Sequence, residues 1–362
     1  MFDQLDVVLF IVFFVISTFV SFLINWLFLR FTRNLSQKNN EDLNQERWSA
    51  EVKPSLGGFS FFIVFLISIS IASIFAQEMG GVINKQVIGI LAASTLGFII
   101  GLADDTYNTN PLVKFMGQLT CAFILILMDV YIPVTGNLAI DYGITTLWVI
   151  GLMNSINMLD NMDGITSTAS MTILLTAIIF AFTGEAVNTN YIMLLLGVFG
   201  SLLGFLYFNW NPAKMYMGDT GSQFLGVFLA AISIIFFWQE KDLYGGVFQI
   251  KQFVIPMLVF IVPLMDTLTV SIRRLMRKQS PFVGGRDHTT HHLVFFGFTE
   301  KQTAWILILI ASVSIPFVTL LHIGFIEWTW HISLGSFIYF ALVFGVMQKV
   351  YNIGKQKQEA KT

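Results

Sequence analysis

Long uninterrupted apolar segments constrain this chain more than any other feature. They run for about 17 to 25 residues, which is the length that an α-helix rising ~1.5 Å per residue needs to cross ~30 Å of hydrocarbon. They do not alternate apolar and polar residues, as the ~10-residue strands of a membrane barrel would. The chain is 55% hydrophobic and 12% charged, far from the composition of a soluble domain. We therefore predict an all-α integral membrane protein.

Eleven membrane-spanning helices are predicted, within a single transmembrane domain over residues 1–362. The first is too long for the apolar core of a signal peptide, so we expect a retained anchor. The connecting loops are short and polar, which leaves no room for a soluble domain. The predicted spans are 7–30, 57–76, 86–102, 114–132, 144–159, 165–183, 191–208, 220–238, 252–273, 302–324 and 328–349.

The basic residues indicate how these spans are oriented. When the loops are assigned alternately to the two sides, all but three of the 20 Lys and Arg residues fall on one side. The exceptions are Lys85, Lys241 and Lys251. By the positive-inside rule, the side rich in Lys and Arg faces the cytoplasm. We predict an external N-terminus, a cytoplasmic C-terminus, and a cytoplasmic location for every polar motif described below.

Two adjacent acids end the third span. Asp104 and Asp105 lie in the segment GLADDTYNTNPLVK, which also contains Lys114. Adjacent carboxylates repel each other, and such a pair is tolerated best where a cation or several hydrogen-bond donors offset the repulsion. The alternative is a solvated loop with two ordinary surface acids.

A polar stripe is predicted where the fifth span reaches the cytoplasm. Asn154, Asn157, Asp160 and Asp163 are spaced three apart in NSINMLDNMDG, and residues three apart are neighbours on a helix. Acids within a membrane are candidates for function because they have to face protein or water. The alternative is a helix boundary with an Asn-Asp turn, which explains the end of the motif better than its first two asparagines.

A third acid, Asp219, lies between two glycines in NWNPAKMYMGDTGSQFLG. The glycines would let the backbone approach a phosphate or an ion closely, while Thr220 and Ser222 supply hydroxyl groups. A helix N-terminus also offers free N–H groups and a positive dipole end to an anion. The alternative is that Asp219 only caps the eighth span. A further acid in the ninth span, Asp266, either faces the same cavity or forms a structural ion pair.

Most of the five histidines of the chain are concentrated before the tenth span. Arg286, His288, His291 and His292 lie in GGRDHTTHHL. A zinc site is one interpretation, but no cysteine is nearby and the acids elsewhere favour a hard ion. Imidazole and guanidinium groups suit a pyrophosphate better. The lone cysteine, Cys121, cannot form an intrachain disulfide.

The order of these motifs resembles one family. GGFSFF, GLADDTYN, NSINMLDNMDG, GDTGS and DHTTHHL follow one another from about Pro54 to Leu293. The polyprenyl-phosphate N-acetylhexosamine-1-phosphate transferases, which start bacterial wall-polymer, O-antigen and related glycan synthesis, carry similar motifs in this order. The resemblance implies transfer of N-acetylhexosamine 1-phosphate from a UDP-sugar to undecaprenyl phosphate, with release of UMP. It also implies a cytoplasmic active site in the bacterial inner membrane and a requirement for Mg²⁺, or Mn²⁺ in its place.

The resemblance also implies roles for individual residues. Asp219 would bind the metal ion, with Asn209 near it and Lys114 neutralising phosphate. The acidic pair would handle the lipid phosphate, and the asparagine–aspartate motif, with Asn157, would line the nucleotide-sugar site. Arg286 and His292 would contact substrate. The residues predicted to be catalytic are Asp104, Asp105, Asp160, Asp163, His288 and His291.

The chain departs from the family pattern in two motifs. Asn108 stands where the family often has a third acid, so this position is not expected to bind metal as a carboxylate. The histidine motif often reads HxHHR, and the best overlay places Thr290 on its second histidine and His292 on its arginine. These differences leave the sugar and pyrophosphate contacts undecided. They also argue against the branch that makes the peptidoglycan lipid precursor, which usually carries three consecutive histidines.

The sequence leaves the mechanism and some partners open. Either the lipid phosphate attacks directly in line, with Asp104 or Asp105 positioning it, or one of these aspartates is a covalent nucleophile. The expected partners are the UDP-N-acetylhexosamine, undecaprenyl phosphate and membrane lipid; no nucleic acid is expected, and a homodimer is left open. The alternative function is a secondary transporter, although transporters usually show related halves and a binding site near the midplane.

Overall fold

The computed structural model describes residues 4–41, 53–78, 84–184, 189–238, 251–279 and 288–359, and every regular element in these ranges is an α-helix. This confirms the predicted all-α class. The helices, numbered α1 to α13, are Gln4–Glu41, Gly57–Glu78, Lys85–Tyr107, Pro111–Leu127, Leu138–Leu159, Ile165–Thr183, Thr189–Asn209, Gly218–Phe236, Lys251–Val259, Ile261–Met276, Thr289–Phe296, Glu300–His322 and Trp330–Glu359.

The helices make this a multi-pass membrane protein. Among the described residues, eight helices are long and apolar enough to cross a membrane: α1, α2, α3, α6, α7, α8, α12 and α13. The pair α9 and α10 gives a ninth span if counted as one, and α4 is apolar but shorter. Each predicted span coincides with a helix or with the α9–α10 pair, but the count of eleven and the orientation of the termini stay predictions.

A sharp bend of 85° separates α9 from α10. Pro263 lies in the first turn of α10. In a continuous helix its nitrogen would bond the carbonyl of Val259, but proline has no N–H to donate and its ring crowds that carbonyl. The helix therefore ends at Val259 and starts again after Phe260. Because of this break, α10 runs in a different direction from α9. Helix α10 carries Asp266 and has basic residues in its last turn.

The centre of the bundle is α8. All of its residues from Thr220 to Ile234 are buried, and it packs against α2, α3, α5 and α6. Two glycines allow the closest approaches. A Cβ on Gly58 of α2 would lie 2.3 Å from the nitrogen of Gly221, and a Cβ on Gly101 of α3 would lie 2.1 Å from the carbonyl oxygen of Asp219. The first turn of α8 is therefore held directly against the backbones of α2 and α3.

One end of the bundle collects the polar motifs, and we call it the site face. The C-terminal ends of α3, α5 and α7 and the N-terminal ends of α4, α6 and α8 meet there. The turn from α3 to α4 is closed by two asparagines. Asn108 adopts the left-handed conformation at the end of α3, with its N–H on the carbonyl of Asp104, and asparagine tolerates that conformation well. Asn110 accepts from the N–H of Leu112 and so caps α4.

Candidate active site

Lys114 joins the first and third acidic motifs. Its Nζ donates to Asp104 Oδ2 at 2.7 Å and to Asp219 Oδ2 at 2.8 Å. The other oxygen of Asp104 accepts from the N–H and the hydroxyl of Thr109 at 2.9 and 2.7 Å. Because the ammonium group lies between two carboxylates, it offsets their mutual repulsion. The two acids are 115 positions apart in sequence, and the fold brings them to one cation.

Asn157 holds the other side of Asp219. Its Nδ2 donates to Asp219 Oδ1 at 2.8 Å and to Ser222 Oγ at 2.9 Å. Both oxygens of Asp219 are therefore oriented, one by an amide of α5 and one by the ammonium of α4. The Asp219 side chain remains 34% exposed, against 13% for that of Asp104. It is the more accessible carboxylate of the two that Lys114 contacts.

Asp105 caps α8 from outside the helix. Its Oδ1 accepts from the N–H of Asp219 at 2.9 Å, and its Oδ2 accepts from the N–H and the hydroxyl of Thr220 at 2.8 and 2.5 Å. A carboxylate at a helix N-terminus satisfies free N–H groups and interacts favourably with the dipole. The alternative in which Asp219 itself caps the eighth span is therefore wrong. Gly218, with φ +72°, makes the preceding turn next to Asp105.

The predicted polar stripe is only half helical. α5 ends at Leu159, so Asn154 and Asn157 lie on it, whereas Asp160 is its C-terminal cap residue and Asp163 lies in the following turn. The stripe is wrong for the two acids because the chain leaves the helix before it reaches them. Burial raises the pKa of Asp160 to about 7, and the negative charge of Asp219 adds to this effect.

Asp163 and Asn209 are engaged with neighbouring backbone. Asp163 Oδ2 accepts from the N–H of Ala213 at 2.8 Å and from Asn211 Nδ2 at 3.1 Å. Asn209 is 3% exposed, and its Oδ1 accepts from the N–H of Gly164 at 3.2 Å while its Nδ2 donates to the carbonyl of Met215 at 3.1 Å. These contacts fix the loops after α5 and α7 to each other. The predicted substrate roles of both residues stay predictions.

The histidine motif forms the short helix α11, which Asp266 anchors. Asp266 Oδ2 lies 2.9 Å from Nδ1 of His288, and its Oδ1 accepts from the N–H of Thr289 at 2.8 Å. Of the two interpretations of Asp266, the structural contact is the one observed. Thr290 donates to Asn161 Oδ1 at 2.5 Å. This bond ties α11 to the loop that also carries Asp160.

The remaining residues of the histidine motif differ in their surroundings. His291 is half-buried, whereas His292 is 3% exposed and its ring lies 3.6 Å from that of Tyr351. His288 is likewise buried. Arg286 lies outside the residues that the structure describes, so its predicted contact stays a prediction.

Sequence reasoning missed two residues at the site face. Lys53 precedes α2, and its Nζ lies 5.3 Å from the centre of the Tyr216 ring. The backbone joins the same two segments, because the N–H of Tyr216 donates to the carbonyl of Pro54 at 2.9 Å. A usable signal was present in the sequence, since Lys53 lies four residues before the first motif and Tyr216 lies three residues before Asp219.

Comparisons with known proteins identify relatives of this chain. A family model described as glycosyl transferase family 4 matches residues 87–237, which span α3 to α8. A probable undecaprenyl-phosphate N-acetylglucosaminyl 1-phosphate transferase of Bacillus subtilis (strain 168) is 29% identical over 272 residues, 73% of this chain and 72% of that protein. The decaprenyl-phosphate N-acetylglucosaminephosphotransferase of Mycobacterium leprae (strain TN) is 28% identical over 278 residues, 71% and 70% of the two chains.

A third relative carries a different transferase name. The phospho-N-acetylmuramoyl-pentapeptide-transferase of Halalkalibacterium halodurans is 31% identical over 267 residues, 66% of this chain and 78% of that protein. All three relatives are named as transferases, which gives the transporter alternative no support. The matched segment contains Asp104, Lys114, Asn157 and Asp219, which share one set of contacts. The chain belongs to glycosyl transferase family 4, among the polyprenyl-phosphate N-acetylhexosamine-1-phosphate transferases.

Proposed function

We propose that this enzyme transfers N-acetylhexosamine 1-phosphate from a UDP-sugar to undecaprenyl phosphate at the cytoplasmic face of the bacterial inner membrane. One observation carries the proposal: at the start of α8, a lysine lies between two carboxylates of separate motifs. Such a centre combines a cation for phosphate with oxygens for a metal ion. The named Bacillus and Mycobacterium relatives support a polyprenyl phosphate acceptor.

A divalent cation, Mg²⁺ or Mn²⁺, is part of the proposal, and Asp219 would hold it. Within the described ranges, no group of three or more His, Cys, Asp or Glu side chains could hold a metal ion by itself. The accessible oxygens of Asp219 nevertheless fit Mg²⁺, which usually takes one or two carboxylates and completes its shell with water and substrate phosphates. When bound, the ion would screen the diphosphate and stabilise the leaving UMP.

Lys114 supports phosphate binding by cancelling negative charge at the centre. Two anionic substrates have to approach each other, and the acids around them would add to the repulsion. The Lys114 side chain is only 16% exposed, so water screens its charge less than that of a surface lysine. Lys53 adds a second cation at the rim of the site face. We propose that these two lysines face the phosphates from different segments, Lys114 from α4 and Lys53 from the chain before α2.

Asp104 is proposed to orient the lipid phosphate for direct attack. Thr109 and Lys114 fix both of its oxygens. The second pKa of a phosphate monoester is near ~6, so most of the acceptor is already ionised at neutral pH. A phosphate oxygen of the lipid forms a bond to the phosphorus next to the sugar, and the bond from that phosphorus to the UMP oxygen breaks. The products are a lipid-linked sugar diphosphate and UMP.

The contacts of Asp105 support this scheme over a covalent aspartate. Both of its oxygens accept from the first turn of α8, and an attack by either oxygen would remove that cap. One direct displacement inverts the configuration at phosphorus, whereas two retain it. A chiral thiophosphate analogue of the UDP-sugar therefore separates the two schemes.

The location of the centre suits substrates of opposite solubility. The isoprenoid tail of the acceptor has to stay in the bilayer, while the UDP-sugar comes from water. The centre lies at helix ends on the site face, where the phosphate of the lipid and the sugar nucleotide can meet. The predicted excess of Lys and Arg on this side supports a cytoplasmic orientation.

Release of UMP from purified protein tests the proposed function. UDP-N-acetylglucosamine and UDP-N-acetylgalactosamine are supplied separately with undecaprenyl phosphate and Mg²⁺, with UDP-glucose as the control sugar. We expect UMP only with an N-acetylhexosamine and the lipid together, loss of release with EDTA, and recovery with excess Mg²⁺. Absence of UMP with every UDP-sugar, in protein whose fold is intact, would overturn the proposal.

A further inference from the structure

The end of α13 at the site face packs against α11 instead of ending in solvent. Along the apolar part of α13, Leu334, Ile338 and Leu342 are about half exposed or more, at 49%, 50% and 64%. Beyond that part, Tyr351 is 1% exposed and Gly354 is buried, whereas Asn352 and the last residues are exposed. The polar tail of this helix therefore has one packed face.

Tyr351 lies against the histidine motif. Its ring is 3.6 Å from that of His292, with the planes inclined by 36°. The guanidinium carbon of Arg273 lies 4.6 Å from the centre of the same tyrosine ring, and Arg277 Nη2 donates to the tyrosine hydroxyl at 2.6 Å. A tyrosine with an aromatic contact, a cation–π contact and a satisfied hydroxyl is well fixed.

Arginine contacts from α10 set the register of α13. Arg273 donates through Nε and Nη2 to Gln348 Oε1 at 3.0 and 2.8 Å, and through Nη2 to Asn352 Oδ1 at 2.7 Å. Gln348 in turn donates to Thr269 Oγ1 at 2.8 Å. Gln348 is four residues before Asn352 and three before Tyr351, so it neighbours both on the surface of α13. The tyrosine therefore faces α11 in one defined rotation.

Two further contacts extend along α11. A Cβ on Gly354 would lie 2.6 Å from the carbonyl oxygen of His292, so only glycine lets α13 come this close. Lys357 Nζ donates to the carbonyl of Phe296, the last residue of α11, at 2.6 Å. A cation there also interacts favourably with the helix dipole. The tail of α13 thus holds α11 from its middle to its end.

The three histidines of the motif have different surroundings: two are buried and held by neighbouring side chains, and one is half-buried. His288 is the N-cap residue of α11 and His292 lies within the helix; Asp266 holds the first and Tyr351 the second. His291 lies on a neighbouring face and is half-buried. We propose that Tyr351 is a positioning residue that sets the place of His291 in the nucleotide-sugar site through its stack on His292. This inference rests on the proposed transferase function and adds a role for α13.

Kinetics of three variants test the inference. Because a displacement of ~1 Å at a reacting centre can lower the rate ~10²-fold, we expect Tyr351→Leu to lower kcat roughly 10- to 100-fold. The KM for undecaprenyl phosphate should stay within about threefold, since α13 acts on the histidine side of the site. Tyr351→Phe keeps the stack and loses only the Arg277 bond, so it should restore most of kcat. Gly354→Ala should resemble Tyr351→Leu.

Tyr339→Leu is the matched control, because it makes the same replacement on the same helix away from α11. The Tyr339 hydroxyl donates to the carbonyl of Ile310 on α12 at 3.4 Å. We expect this variant to lower the thermal midpoint without lowering kcat. If kcat follows the thermal midpoint across all four variants, Tyr351 is only a stabilising residue and the inference is wrong.

A second measurement does not depend on activity. A cysteine replaces His291 in a Cys121→Ala background, and its labelling by a water-soluble maleimide is followed with and without Tyr351→Leu. We expect the labelling rate to change about fivefold or more when the stack is lost, since local opening governs access to a half-buried group. An unchanged rate with both Tyr351→Leu and Gly354→Ala would overturn the inference, even if the wild-type protein transferred no sugar phosphate.

Discussion

The acidic centre at the start of α8 and the histidine helix α11 are held in place by different means. Asp104 and Asp219 belong to α3 and α8, whose backbones touch at Gly101. α11 has only eight residues and is fixed through side chains of three other segments, with contacts to Asp266, Asn161 and Tyr351. The acidic centre is fixed by long helices that pack backbone to backbone, whereas α11 is short and depends on side-chain contacts together with one close backbone approach, at Gly354.

Because of this difference, we expect substitutions in the two regions to have effects of different size. Close charges require accurate placement, which long packed helices supply better than a short helix after a loop. A substitution that removes a charge from the acidic centre leaves the others in place without their partner, so the effect should be large. A substitution at a contact of α11 lets that helix move by a small amount, so the effect should be graded.

The largest expected effect is that of a substitution in the acidic centre. Asp219→Asn keeps the size of the side chain and the contact with Asn157 but removes the proposed cation ligand. We expect UMP release to fall about 10³-fold or more and the response to added Mg²⁺ to disappear. Near-normal turnover in this variant would remove Asp219 from the metal site and with it the contrast between the two regions.

Asp141→Asn is the matched control for this substitution. Asp141 is 1% exposed and accepts from the N–H groups of Val134 and Thr135 at 3.2 and 2.8 Å. Asp141 lies in the first turn of α5. It is about 24 Å along the helix from Asn157, at ~1.5 Å per residue. We expect this change to lower the thermal midpoint while Mg²⁺ still activates the enzyme.

The next largest effects are expected from substitutions of the two adjacent acids, Asp104 and Asp105. Asp104→Asn weakens the contact with Lys114 next to the proposed acceptor, and we expect kcat to fall about 10²-fold. Asp105→Asn weakens the cap of α8, which should cost about 1 kcal/mol of unfolding free energy and lower kcat about tenfold or less. Kinetics and thermal unfolding of both variants give the comparison.

The proposed mechanism would be wrong if Asp105→Asn lowered kcat more than Asp104→Asn does. If Asp105→Asn were the more damaging to kcat and left the thermal midpoint unchanged, Asp105 would act on substrate, and the cap would be incidental. Trapping of a phosphorylated Asp105 would revive the covalent scheme. The capping geometry predicts neither result.

The positions of the helices and the membrane class were predictable from sequence because crossing a bilayer requires long apolar helices, while the count of eleven spans stays a prediction. The family resemblance assigned Asp104, Lys114 and Asp219 separate roles in one active site, but only the fold shows that the lysine bridges the two acids. The period-three spacing wrongly predicted that Asp160 and Asp163 lie on a helix. The spacing assumes that the helix continues through them, but α5 ends at Leu159. A local turn through Gly164, at φ +75°, replaces it.

Contacts between distant segments were beyond sequence patterns. Nothing in the spacing of Asp104 and Asp105 tells which of them turns towards α8, since that depends on how α3 packs. The stack of Tyr351 on His292 joins a polar tail to a motif that precedes α12, with no periodicity in common. The basic tail of α13 contributed only to the orientation of the spans.

The smallest expected effect lies where the two regions meet. Asp160 is next to Asn161, which bonds α11, and burial together with the charge of Asp219 raises its pKa to about 7. The carboxyl is therefore mostly protonated at pH 6 and ionised at pH 8. Because a nearby cation favours the ionised form, its binding below pH 7 has to release this proton. The apparent affinity for a divalent cation should rise as the pH increases through about 7 and then level off.

Binding of Mn²⁺, followed by electron paramagnetic resonance without substrates, measures this dependence and avoids the titration of phosphate. We expect the affinity to change by up to about tenfold per pH unit below pH 7, and Asp160→Asn to flatten the curve. Asp129→Asn is the control, because that exposed acid pairs with Lys85 at 2.8 Å and follows the C-terminal end of α4, away from Lys114. A wild-type curve as flat as that of Asp160→Asn would mean that the proton of Asp160 is not linked to the cation, and the two regions would then be electrostatically independent.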